Sequence, residues 1–197
     1  MTFLIATKNL HKLEEMRRIL SPLGIDCICE HDLAVPLPEV DETGDTFAEN
    51  ALLKAQSALM AAGMPVIADD SGLCVGALAG QPGVYSSRYA GEHADSEANI
   101  KKLLEELQGK TNRAACFRCY IVCLFPDGYR IDAEGRCDGE ILHEKHGENG
   151  FGYDPVFMSE LGSFAEMTDE QKDSISHRGR ALRELHDKLK SYLKEIS

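Results

Sequence analysis

The stretch Cys116-Phe-Arg-Cys-Tyr-Ile-Val-Cys-Leu-Phe125, followed by Pro126-Asp-Gly128 and Tyr129, decides the fold class. Its aromatic and β-branched run predicts a strand, Pro-Asp-Gly predicts a tight turn, and a second strand is expected from Tyr129; together they make a hairpin. Elsewhere strands and helices alternate. Phe3-Leu-Ile-Ala6 is a short apolar run ended by polar residues, after which Leu10, Leu13, Met16, Ile19, Leu20 and Leu23 recur at helical spacing. Asn9 suits the N-cap of that helix and Gly24 its end. Ile25 to Cys29 predicts a second strand, and residues 31–45, rich in Pro and acid without a period, predict a loop. Thr46-x-x-Glu49 is a capping box opening a helix to about Gly63, and Thr168-x-x-Gln171 is another. Val66-Ile-Ala68 predicts a strand running into Asp69-Asp70-Ser71-Gly72. Residues 76–91 are expected to be irregular, Ser96 to Leu107 helical, and Leu182, Leu185, Leu189 and Leu193 mark a C-terminal helix. Alternating strands and helices plus one hairpin give an α/β fold with a mixed sheet.

Length and charge narrow the function. A chain of 197 residues is expected to form one domain over 1–197, with no separate linker. The formal net charge of −12 speaks against a duplex nucleic-acid binder, which needs a basic stripe, but not against a small anionic ligand held by a few local cations. No stretch approaches the ~20 apolar residues of a membrane span. The polar Thr7-Lys8-Asn9 after a short apolar run does not suit a signal peptide, so a cytoplasmic location is expected. The seven cysteines, an odd number, are expected to be free thiols of a reducing compartment. Cys116-x-x-Cys119 has zinc-like spacing, yet period-two alternation sends those two side chains to opposite faces of a strand, and both are expected to be small buried residues.

Four segments carry polar residues that a plain core does not require. Thr7, Lys8, Asn9, Leu10, His11 and Lys12 form a strand-to-helix turn whose N–H groups, with Lys12 one turn in, can hold an anion; a capped helix with a solvated lysine explains the same residues. The loop Glu39-Val-Asp-Glu-Thr-Gly-Asp45, leading to Glu49 and Lys54, offers hard oxygen ligands of the kind Mg²⁺ takes, or is simply solvated. Asp69 and Asp70 at a strand end form a metal site, a turn, or both. Finally, Gly147-Glu-Asn-Gly-Phe-Gly-Tyr-Asp-Pro155 sets Phe151 and Tyr153 among glycines, where a flat ring can approach closely. Stacking on a nucleobase contributes roughly 1–3 kcal/mol, although core packing is the commoner fate of aromatics. Ser176, His177 and Arg178 cluster donors near the start of the last helix.

In order and identity, Ala6-Thr-x-Asn-x-x-Lys-x-x-Glu15, Glu42-Thr-Gly-x-Thr-Phe-x-Glu-Asn-Ala51, Ala68-Asp-Asp-Ser-Gly-Leu73, Gly150-Phe-Gly-Tyr-Asp-Pro155 and Ser176-His-Arg178 resemble the inosine triphosphate pyrophosphatase family over residues 3–190. The resemblance implies hydrolysis of ITP, dITP and XTP to the monophosphate and pyrophosphate with Mg²⁺. It also implies an elongated mixed sheet flanked by helices, two lobes around a nucleotide-binding cleft, and a homodimer. It assigns the triphosphate and its surroundings to the turn Thr7–Lys12, the metal to Glu42 and Asp70, and proton acceptance to Asp70. Ser71 then contacts substrate, and Phe151, Gly152, Tyr153, Asp154, Lys172, His177 and Arg178 surround the base. Lys54 and Asp69 join Asp70 as candidate catalytic residues. A triphosphate carries roughly four negative charges, so an acidic enzyme must gather Lys12, Lys54, Lys172 and a metal locally. Lys8 stands where many relatives have Gly, and Glu148-Asn149 replaces a glycine-rich approach. A Maf-type pyrophosphatase would open with a Ser-Pro-Arg-Arg turn and a Nudix hydrolase would carry a Glu-rich helix; neither is present. A non-catalytic nucleotide sensor on the same fold is the alternative from a different class, and the presence of both Glu42 and Asp70 favours the enzyme.

Overall fold

The computed structural model describes residues 1–91 and 95–195. Strand β1 (Thr2–Ile5) turns into helix α1 (Leu10–Leu20), capped by Asn9, whose Oδ1 accepts the Lys12 N–H at 3.2 Å. The chain leaves α1 through a single 3-10 turn and Gly24, whose φ of 77° is one that glycine adopts without steric cost. After β2 (Asp26–Ile28) the acidic loop has neither helix nor strand from residue 33 to 46. Helix α2 (Phe47–Ala62) begins at the expected capping box: Thr46 Oγ1 accepts the Glu49 N–H at 3.2 Å and the Glu49 carboxylate accepts the Thr46 N–H at 3.0 Å. Strands β3 (Val66–Val75), β4 (Ala114–Leu124) and β5 (Arg130–Ile141) follow, with α3 (Ser96–Glu106) between β3 and β4. The β4–β5 turn is the predicted one, Gly128 N–H donating to Phe125 and Phe125 N–H to Tyr129, each at 3.0 Å. Two short strands, β6 (Phe157–Ser159) and β7 (Gly162–Ser163), precede α4 (Asp169–Ile175), which opens at the Thr168 box, and α5 (His177–Glu195).

The strands hydrogen-bond in the order β2-β1-β3-β4-β5-β6-β7. β1 lies parallel to β2 and β3, while β5, β6 and β7 pair antiparallel, so the sheet is mixed as expected. One expectation fails: residues 69–72 are not a turn at a strand end. β3 runs through them without a break to Val75. Asp-Ser-Gly is good turn chemistry, but Leu73 and Val75 beyond it are fully buried, and burying them requires the strand to continue.

The chain divides into two compact units, one of residues 1–70, 119–135 and 178–197, the other of 71–118 and 136–177. In the first, strand alternation sorts the core into two layers. Phe3, Ile5, Ile67, Cys119, Ile121 and Cys123 pack with Leu13, Met16 and Leu20 of α1 and Leu182, Leu185 and Leu189 of α5. Leu4, Val66, Ala68, Val122 and Leu124 pack with Ala51, Ala55 and Ala58 of α2. The alanines of α2 allow it to approach the sheet closely. In the second unit Leu73, Val75, Ala115, Phe117, Cys137 and Ile141 pack with Ile100, Leu103 and Leu107, and with Val156, Phe157 and Phe164.

The Thr46 cap is where the acidic loop passes into α2. Thr46→Ala removes the side-chain acceptor and is expected to lower stability by about 1 kcal/mol, read as a shift in the urea midpoint at constant m-value; an unchanged midpoint would show that the packed alanine face alone holds the helix.

Candidate active site

Asp69 and Asp70 are consecutive residues of β3, so their side chains leave opposite faces of the sheet. Asp69 is directed toward the layer of α1 and α5. It is 1% exposed, and its Oδ2 accepts from Lys12 Nζ at 2.9 Å and from Arg178 Nε and Nη2 at 3.4 Å. The Cys119 thiol lies 3.9 Å from the same oxygen. Burial by itself would push this carboxyl upward, but Lys12, Arg178 and Lys54 outweigh it and hold Asp69 far below the ordinary carboxylate range. Arg178, 2% exposed, also forms an ion pair through Nη1 with Glu15 of α1, itself buried. Glu15 is one residue that sequence reasoning left without a role: helical spacing sets it off the stripe of Leu13, Met16 and Leu20, yet it is buried.

Asp70 faces α2. Its Oδ2 accepts from Asn50 Nδ2 at 3.2 Å, and its Oδ1 stands 3.6 Å from Lys54 Nζ, which lies 2.8 Å from Glu42 Oε1. Burial, the largest influence, raises the Asp70 carboxyl, and Glu42 and Asp69 raise it further against the opposing pull of Lys54 and Lys12. Lys54 shows the converse: burial lowers it, but Asp69, Asp70 and Glu42 together leave it raised, so it is held as a cation. Asn50, fully buried, is the second residue left without a role, although it belongs to the quoted motif Glu42–Ala51. Its side-chain oxygen accepts the Gly44 N–H at 2.8 Å while its amide nitrogen holds Asp70, so one side chain ties the acidic loop to β3. A Cβ on Gly44 would lie 2.6 Å from Glu49 Cβ and 2.7 Å from Asn50 Oδ1, which is why glycine stands there.

This donor set fits a hard divalent cation. The Glu42 and Asp70 carboxylates already converge on one positive charge, the Lys54 ammonium. No cluster of three or more His, Cys, Asp or Glu side chains able to hold a metal occurs among the described residues. Two carboxylates are what Mg²⁺ commonly takes from a protein, the other positions going to water and substrate phosphate.

At the N-terminal turn, Thr7 Oγ1 accepts the Asn9 N–H at 3.2 Å and Asn9 caps α1. Lys12 is not the solvated lysine that a capped helix alone would explain; it is turned inward onto Asp69. Lys8 pairs with Glu39 of the acidic loop at 3.0 Å, both side chains well exposed, so the pair contributes little to stability. Leu10 and His11 are exposed, and Ser71 is half-buried on β3.

In the second unit the turn 150–154 is built on Asp154. Its Oδ2 accepts the Phe151 N–H at 2.8 Å and Lys172 Nζ at 2.7 Å, and Gly150 has φ 74° with a Cβ position only 2.2 Å from that oxygen. Tyr153 is buried and donates to the Ser86 carbonyl at 2.9 Å, while Phe151 stays half-buried with the Lys172 ammonium 4.7 Å from its ring centre. Gly152 has φ 61°, with nothing within 4 Å of a Cβ built there. Asp154, Tyr153 and Lys172 therefore hold the turn that presents Phe151. His177, at the start of α5, is buried with its ring 4.7 Å from Phe117 and 12° from parallel.

The chain matches the model of the Ham1 family over residues 3–188. It is 46% identical over 191 residues to a dITP/XTP pyrophosphatase of Bacillus anthracis, covering 94% of each chain. It is 49% identical over 183 residues to a dITP/XTP pyrophosphatase of Desulfotalea psychrophila, covering 92% of this chain and 82% of the relative. Among solved structures, the Staphylococcus aureus Ham1 protein is similar at a TM-score of 0.87 and 43% identity, covering 98% of this chain and all of the other. The five ordered motifs, the mixed sheet and these matches agree: the chain belongs to the Ham1 family.

Proposed function

We propose that this protein hydrolyses deaminated purine nucleoside triphosphates, ITP, dITP and XTP, to the nucleoside monophosphate and pyrophosphate. The observation that carries the reading is Lys54 held between Glu42 and Asp70, with the Lys12–Asp69 pair on the other face of the same strand. Glu42 and Asp70 are the proposed metal ligands, and Mg²⁺ is the proposed ion. Bound there, it supplies Lewis-acid polarisation of a phosphoryl oxygen and a lowered pKa for water. Asp70, raised by burial and held by Asn50, takes the proton of the attacking water. Asp69 holds Lys12 in place, and Lys12, Lys54 and the N–H groups of residues 7–12 offer positive charge to the triphosphate.

On the base side, Phe151 is the proposed stacking ring, and His177 and Arg178 the proposed donors to the 6-oxo group of hypoxanthine or xanthine. Arg178 also carries the buried pairing with Glu15 and Asp69. Adenine presents an amino donor at that position, and a donor facing a buried donor can reject a substrate by roughly 10⁴-fold. A single catalytic domain over residues 1–197, a homodimer and a cytoplasmic location belong to the same reading. Among the described residues no helix is long and apolar enough to cross a membrane.

Incubation with ITP, XTP, GTP and ATP, with Mg²⁺ or with chelator, tests the reading. Metal-dependent pyrophosphate from ITP and XTP, with little from GTP or ATP, is the expected result; orthophosphate release or equal use of ATP would refute it, and binding of ITP without turnover would make the protein a sensor. Asp70→Asn is expected to lower turnover at least 10²-fold, the usual contribution of a positioned base, while ITP binding by calorimetry persists; wild-type rates would remove Asp70 from the reaction. Arg178→Ala leaves Glu15 and Asp69 buried without their shared cation and is expected to cost about 3–5 kcal/mol of stability; a loss under about 1 kcal/mol in urea titration, the size of an exposed pair, would show that these charges are relieved by water instead.

A further inference from the structure

We propose that Cys74 and Cys116 form an oxidisable dithiol, a modification site that closes to a disulfide on reaction with a peroxide. Within the second unit, Cys74 lies on β3 and Cys116 on β4, neighbouring strands of the sheet. A Cβ on Gly76 would lie 3.3 Å from the Ala114 carbonyl, so residues 76 and 114 stand opposite one another. Nearer the other end Asp69 meets Cys119, so the strands run antiparallel; counted from residues 76 and 114, Cys74 falls opposite Cys116, and Asp69–Cys119 is a diagonal contact two residues out of that register. The two thiols lie close enough for each to shift the titration of the other. Directly opposed residues of an antiparallel pair have Cβ atoms about 4.5–5.5 Å apart, and a disulfide needs about 3.5–4.5 Å. Closure therefore asks for a local approach of about 1 Å, not a rearrangement.

The face on which they stand carries the charges of this unit, although Cys116 itself is buried and Cys74 is the more exposed of the two. Along β4 and β5 of this unit, Ala114, Arg118, Arg136 and Asp138 share the even-numbered face and are exposed, whereas Ala115, Phe117, Cys137 and Ile141 share the opposite face and form the core. Cys74 is half-exposed beside these charges. The charged groups facing the thiols are Arg118, Arg136 and Asp138, with Arg136 paired to Asp138 at 2.6 Å. The neighbouring Cys74 lowers the Cys116 thiol against the cost of its burial, and Arg136 and Arg118 act in the same direction. Cys116 is thus the thiolate of the pair, Cys74 the donor, and the arrangement is that of a reactive thiol with a resolving partner.

The chemistry balances in two steps. The Cys116 thiolate attacks one oxygen of hydrogen peroxide, the O–O bond breaks, and after proton uptake a sulfenic acid and one water form. The Cys74 sulfur then attacks the sulfenic sulfur, the S–O bond breaks, the Cys74 proton leaves with the hydroxide as a second water, and the disulfide is formed. Two thiols have lost two electrons to one peroxide, and a dithiol reductant reverses the reaction.

The test uses the full, reduced chain exposed to one equivalent of hydrogen peroxide, quenched with an alkylating reagent and mapped by peptide mass spectrometry. The expected result is loss of two of the seven thiols, a linked peptide containing Cys74 and Cys116, and its disappearance with dithiothreitol. Oxidation first at Cys27, whose thiol burial pushes up to about 11, a link between any other pair, or no loss at all would overturn the proposal. C74S is expected to stop at a Cys116 sulfenic acid trapped by dimedone, and C116S to consume peroxide roughly tenfold more slowly; equal rates in C116S and the parent would likewise overturn it. The peptide map of the parent needs no variant and decides the matter if either substitution fails to fold.

Discussion

A carboxylate with 1% exposure in the middle of a strand is the constraint from which the first unit is built. Removing Asp69 from water costs several kcal/mol unless cations and donors replace the solvent. Two cations do so, Lys12 from α1 and Arg178 from α5, and Arg178 is in turn balanced by Glu15 of α1. Two helices distant in sequence are thereby fixed against the same point of β3 by charge as well as by their leucines. The apolar layer of Leu13, Met16, Leu182 and Leu185 supplies the area, but area is indifferent to small slides of a helix along a sheet. Directional hydrogen bonds to one oxygen are not.

The period of the strand then separates the two acids. Asp69, surrounded by cations, is held ionised, whereas Asp70, one residue on and facing α2, is raised by burial and by its acidic neighbours. Neighbouring carboxylates whose environments push them apart are the usual sign of different tasks. The lowered one anchors and the raised one can accept a proton. A chain of net charge −12 achieves this because its cations are concentrated where they are needed, with Lys12, Lys54 and Arg178 all in contact with this short acidic segment.

Much of this was legible in the sequence wherever the signal was local. The hairpin after Phe125 and both capping boxes rest on residues a few positions apart, and each stands where the spacing placed it. The segment Asp69–Gly72 was misjudged because local turn chemistry competes there with burial of Leu73 and Val75, and tertiary burial won. β6 and β7 are too short to show a period. Glu15 and Asn50 were hidden for another reason: each acts through a partner far along the chain, Arg178 or Asp70, and spacing within a helix carries no record of such a contact. Asp154 and Lys172 were expected around the base on the resemblance alone; that they hold the turn beneath Phe151 depends on an ion pair that only the folded chain displays.

The rule that parts Asp69 from Asp70 also parts the cysteines of β4. Cys116 and Cys119 are three residues apart, an odd separation, so they cannot share a face, and their thiols meet opposite surroundings. Cys119 is buried, and its thiol is pushed far up by that burial and by the Asp69 carboxylate beside it, so it stays a small apolar filler. Cys116 is buried as well, but it faces Cys74 and two guanidinium groups, and its thiol is lowered. Zinc-like spacing in a strand is therefore misleading in a specific way. It brings together in sequence two sulfurs that the sheet sends apart, while the pair that can react is formed across strands by residues 42 positions distant, through register rather than through any motif.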